Sequence, residues 1–76
     1  MDEEQVVQAV VVRLKELRES KGISQVQLSE LSGLSRSGIR HMENGAVSPT
    51  LRFLLTICRA LEAELDELLL EVRAEG

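Results

Sequence analysis

From Gln5 to Lys21 apolar residues recur three and four apart, at Val7, Val10, Leu14 and Leu17, the spacing that lines one face of an α-helix. Gly22 follows where a left-handed residue ends such a helix, and Asp2 lies where a carboxylate favours its N-terminal dipole. The next segment carries two start devices, because Ser24 with Gln27 reads as a capping box and Ile23 can staple onto Leu28. A second helix is therefore predicted from Gln25 to about Ser32, where Gly33 permits a left-handed stop. Ser35 is placed to cap a third helix from Arg36 to about Asn44, with a Leu34–Ile39 staple at its start and Gly45 at its end. Thr50 can cap a fourth, whose stripe of Leu51, Leu54, Ile57, Cys58 and Leu61 is expected to face the core, and Leu65, Leu68 and Leu69 mark a fifth. The pattern gives an all-α fold of five helices, with no repeat, linker or low-complexity tract, and so one domain over residues 1–76.

Composition narrows how such a chain holds together. Seventy-six residues allow one modest core. Apolar residues make up 43%, with Phe53 the single aromatic, so Leu, Val and Ile must fill it. One cysteine and one histidine exclude an internal disulfide and a multi-ligand zinc site. Oligomerisation remains as the aid to stability, and Cys58, on the apolar stripe, reads as a small hydrophobe. Val6, Val11, Val12, Leu70 and Val72 exceed what single helix faces need. They either pack on each other or form an isologous dimer patch, and the second is favoured. No apolar run is long enough to span a membrane, and the chain opens Asp2-Glu3-Glu4 instead of with a basic leader, so a cytoplasmic location is expected.

The two central helices joined by a three-residue, glycine-containing turn form a helix-turn-helix over Gln25–Asn44, the unit whose second helix enters the DNA major groove. Close crossing needs a small side chain midway along the first helix, here Ser29, and glycine at the turn, here Gly33. Leu28, Leu31, Leu34, Ile39 and Met42 fall where the unit must lock onto a core. With Ile39 and Met42 facing inward, Arg36, Ser37, Arg40 and His41 face outward. Arg36, at the helix start, is suited to bind guanine bidentately, and Arg40 to reach a phosphate. Gly38, inside the same helix, either permits close approach to the sugar-phosphate backbone or is simply tolerated. The formal charge of -4 argues against a polyanionic partner until it is divided along the chain. Residues 1–12 carry -3 and residues 60–76 carry -5, whereas residues 13–59 carry +4. One histidine, one cysteine and acids on solvated helix faces do not make an acid–base site, so an enzyme is not expected.

Lys15-Glu16-Leu17-Arg18, Lys21-Gly22-Ile23-Ser24-Gln25, Leu28-Ser29-Glu30, Gly33-Leu34-Ser35, Glu43-Asn44-Gly45 and Ser48-Pro49-Thr50-Leu51 resemble the phage-repressor and Cro family of DNA-binding domains, also called the xenobiotic-response-element family. The resemblance covers about residues 10–69. It implies a five-helix repressor-like bundle, a homodimer on a palindromic operator in double-stranded DNA, and transcriptional regulation without a cofactor or metal. It also implies that Arg36, Ser37 and His41 contact bases, that Gln25, Asn44, Ser48, Thr50 and Arg52 join Arg40 in contacting the backbone, and that Arg18 and Glu43 form a structural ion pair. Two departures stand out. Ala46 replaces a residue commonly basic in the family, and Glu62 replaces the glycine that usually follows Ala60-Leu61, so helices 4 and 5 meet through a strained residue or run partly continuous. The acidic total and Ala46 also motivate an alternative of a different class, an antitoxin or adaptor that docks on a toxin or on the transcription machinery.

Overall fold

Side chains start four of the five helices. The structure, a computed structural model, describes residues 1–75. It consists of α1 (Glu3–Ser20), α2 (Gln25–Ser32), α3 (Arg36–Glu43), α4 (Leu51–Leu61) and α5 (Leu65–Glu75), with no strand among the described residues. Asp2 does more than favour a dipole: its Oδ1 accepts from the Gln5 N–H (2.8 Å) while its own N–H donates to Gln5 Oε1 (2.9 Å). This capping box sets the start of α1 at Glu3, ahead of the Gln5 start expected from the apolar periodicity. Ser24 and Gln27 form the reciprocal pair at α2, with bonds of 3.0 and 2.8 Å. Ser35 Oγ accepts from Gly38 N–H at α3, and Thr50 Oγ1 from Phe53 N–H at α4.

α2 and α4 stop on left-handed residues. Gly33 ends α2 with φ +78°, and Glu62 ends α4 with φ 57° and ψ 41°, the one non-glycine residue in that region. The Ala63 N–H returns to the Cys58 carbonyl (2.8 Å), so α4 closes before α5 opens. Of the two joints expected at Glu62, the strained one is realised. A left-handed L-residue costs about 1–2 kcal/mol.

α1 packs along α5, while α2 crosses α3 and α4. Their shared core contains Val10, Leu14, Leu28, Ile39, Met42, Ile57 and Leu61, all essentially inaccessible. Full burial of such side chains contributes about 1.5–3 kcal/mol each. Cys58 is in the same core, and burial, helped by the nearby Glu64, pushes its thiol pKa up.

Three expectations about apolar positions are corrected. Leu51 is 64% exposed, since it occupies the first turn of α4 beside an open groove bordered by Val6, Pro49, Leu65 and Leu69. Leu31 is 61% exposed, because the α2 crossing uses Leu28, Ser29 and Ser32 and turns Leu31 to the flank. Val11 and Val72 are core residues of the α1–α5 contact rather than a surface patch, and only Val12 and Leu70 of that set are exposed.

Candidate nucleic-acid interface

The turn between α2 and α3 is sealed from inside by its own polar groups. Ser29 Oγ donates to the Leu34 carbonyl (2.6 Å), Leu34 N–H donates to Ser32 Oγ (3.1 Å), and Gly33 N–H donates to the Ser29 carbonyl (2.9 Å). Ser29 is thus a hydrogen-bonding residue as well as a small one. With Leu28 and Ile39 fully buried on either side, the two short helices are held as one rigid unit.

The buried side of α3 dictates what its other side offers. Ile39 and Met42 point into the core, which leaves Arg36, Ser37, Arg40 and His41 exposed. Ion pairs among the described residues use only Arg13 and Arg18, so Arg36, Arg40 and Arg52 have no carboxylate partner there. The one acid on α3, Glu43, is turned inward with its side chain 3% exposed. The outer surface of α3 is therefore cationic in a protein whose total charge is negative.

Glu43 meets Arg18 in a bidentate pair, Nε to Oε2 at 2.7 Å and Nη2 to Oε1 at 2.9 Å. Arg18 Nη1 also donates to the Ile23 carbonyl (2.7 Å), and Gln25 Nε2 donates to Glu43 Oε1 (2.9 Å). The hydrogen bonding of Arg18 to Glu43 holds the guanidinium pKa above its ordinary value, against burial, which lowers it. One network thus ties the end of α1, the start of α2 and the end of α3. The place of Gln25 in it was not legible from sequence, because nothing in the local pattern signals an eighteen-residue reach.

The remaining polar candidates follow α3 along the loop into α4. Asn44 Oδ1 accepts from Ala46 N–H (2.9 Å), Ser48 Oγ donates to Glu4 Oε2 (3.3 Å), and Thr50 Oγ1 is engaged by its cap. Arg52 lies farther out, on an α4 surface shared with Leu51, Leu55, Thr56 and Arg59. Gly38, open to two explanations in the sequence, has a third in the structure. An added Cβ would lie 3.0 Å from Ser35 Oγ and 3.5 Å from Phe53 Cε2, against the cap of its own helix.

Comparison with known proteins converges on the same segment. Residues 14–68 match the family profile described as helix-turn-helix. The chain belongs to the phage-repressor and Cro-type helix-turn-helix family. Within this family it is 38% identical over 56 residues to the uncharacterized HTH-type transcriptional regulator y4dL of Sinorhizobium fredii, covering 74% of this chain and 29% of that protein. It is 38% identical over 55 residues to the HTH-type transcriptional regulator PuuR of Escherichia coli, covering 72% and 30%. The uncharacterized HTH-type transcriptional regulator YgzD of Bacillus subtilis is 34% identical over 55 residues, with 72% of this chain and 83% of that protein covered. The match therefore spans less than a third of the first two relatives and most of the third. No helix among the described residues is long and apolar enough to cross a membrane.

Proposed function

We propose that the chain is a cytoplasmic, sequence-specific DNA-binding domain that regulates transcription, acting as a homodimeric repressor on a palindromic operator with α3 in the major groove. The observation that carries this reading is the α3 surface, where Arg36, Ser37, Arg40 and His41 are exposed while the same helix is anchored by Ile39 and Met42. In this reading Arg36, Ser37 and His41 contact base edges, and each good contact is worth about 1–3 kcal/mol of discrimination. Gln25, Arg40, Asn44, Ser48, Thr50 and Arg52 hold backbone phosphates, which supplies most of the affinity and makes it salt-dependent. Neither role needs a cofactor. Membership in a family whose matched relatives carry the name of transcriptional regulators supports the reading.

Two copies fit the chemistry better than one, because a single domain with a negative total charge gathers few phosphate contacts. Exposed Leu51 and Leu55 on α4 offer apolar surface for that contact. The same surface also favours the second reading, an adaptor or antitoxin that binds another protein. Selection of bound sequences from random duplex DNA, with the solution mass measured alongside, separates the two. A regulator enriches a two-fold symmetric site and weighs as a dimer, and an adaptor enriches none.

A further inference from the structure

The first turns of α1 lie along the loop between α3 and α4. Gln8 Nε2 donates to Glu4 Oε1 (3.0 Å), Ser48 Oγ donates to Glu4 Oε2 (3.3 Å), and Gln8 Oε1 is 3.7 Å from where a Cβ on Gly45 would stand. The placement is held from two sides. The Asp2 capping box fixes the helix start, and Val10, buried in the core, with Val6 and Ala9 packed against that core, keeps the turn against the body of the protein. Glu4 has no cationic partner, since the carboxylates in ion pairs among the described residues belong to Glu43, Glu71 and Glu75. An uncompensated carboxylate is thus anchored on the loop that runs from Asn44 to Thr50.

We infer that Glu4 is an affinity-limiting residue for DNA, opposing a backbone phosphate at the α3–α4 loop and competing with it for the Ser48 hydroxyl. The inference rests on the proposed role of that loop in holding phosphates. A serine hydroxyl has one proton to donate, so it serves the carboxylate or the phosphate and not both. The electrostatic part is of similar weight, because a unit charge about 4 Å from another in water changes an equilibrium about fivefold. Together they set the free protein against premature or indiscriminate capture by DNA, at the edge of the contact surface instead of through total charge.

The test compares Glu4→Gln with Glu16→Gln in the full chain, by fluorescence anisotropy on the duplex obtained from selection. Both variants change the net charge equally. The amide introduced by Glu4→Gln keeps the size of the side chain and one carbonyl acceptor, so the main loss is the charge. Glu16 is twelve residues farther along the same helix, about 18 Å away and beyond the screening length of about 10 Å at 0.1 M salt. The expected result at 0.1 M salt is binding about three- to fivefold tighter for Glu4→Gln, shrinking as salt rises, and less than twofold tighter for Glu16→Gln. Equal gains for the two variants, or weaker binding by Glu4→Gln, overturn the inference while leaving the DNA-binding reading intact. Failure of the parent chain to bind any duplex at low salt overturns both.

Discussion

Arginines on the inner and outer sides of α3, one from α1 and two from α3 itself, serve opposite ends. Inward, Glu43 engages Arg18, a buried residue whose guanidinium is fixed by two carboxylate oxygens and a backbone carbonyl. Outward, Arg36 and Arg40 are exposed and have no ion-pair partner among the described residues. A buried guanidinium needs each of its nitrogens engaged within the fold, whereas one whose partner is another molecule must stay unmatched until that molecule arrives. The difference separates residues that hold the helix in place from residues that the placement serves.

Removing Arg18 tests the inner side most severely. Arg18→Ala strands a buried Glu43 carboxylate and is expected to destabilise by about 3–5 kcal/mol in urea unfolding. A domain of this size has only about 4–11 kcal/mol in total, so the loss is a large share of its stability. Arg36→Ala tests the outer side, with an expected loss of about 1–3 kcal/mol in operator binding and a relaxed preference at one base pair. Its unfolding free energy in urea should stay within about 0.5 kcal/mol of the parent, and a large stability loss would break the division.

Away from α3 the effects are smaller. Glu62→Gly relieves the left-handed strain at the end of α4, and after allowance for glycine entropy it should raise stability by about 0.5–1 kcal/mol, read as a higher melting temperature. Cys58 supplies the smallest effect, confined to alkaline pH. Burial raises its thiol pKa in the folded state, so the unfolded chain loses that proton first. The contribution is complete below the unfolded thiol's pKa and is lost as pH climbs through the folded one. Stability measured against pH should therefore fall in the thiol range, and less so in Cys58→Val.

The helices were legible because their punctuation is local. Ser24, Gly33, Ser35 and Thr50 each act within four residues, α2 begins and ends as expected, and α4 begins as expected, while α3 closes at Glu43 with Asn44 as its cap residue. Leu51 and Leu31 were misassigned for a common reason: periodicity reports which side of a helix is apolar, and only the tertiary arrangement decides whether anything covers it. The outward set on α3 followed from the inward one, Ile39 and Met42. The network through Gln25, the approach of Phe53 to Gly38 and the approach of Glu4 to Ser48 join elements whose relative placement no local pattern encodes.

The sealed α2–α3 turn has a thermodynamic consequence. With Ser29, Ser32 and Gly33 already satisfying its polar groups, the segment has little freedom left to lose when a ligand meets α3. Ordering entropy that a flexible reader surrenders on contact is spent here during folding, so association should proceed without the large negative heat-capacity change of coupled folding. Titration calorimetry at several temperatures would register the turn as a silence, with a heat-capacity change no larger than the contact surface itself accounts for.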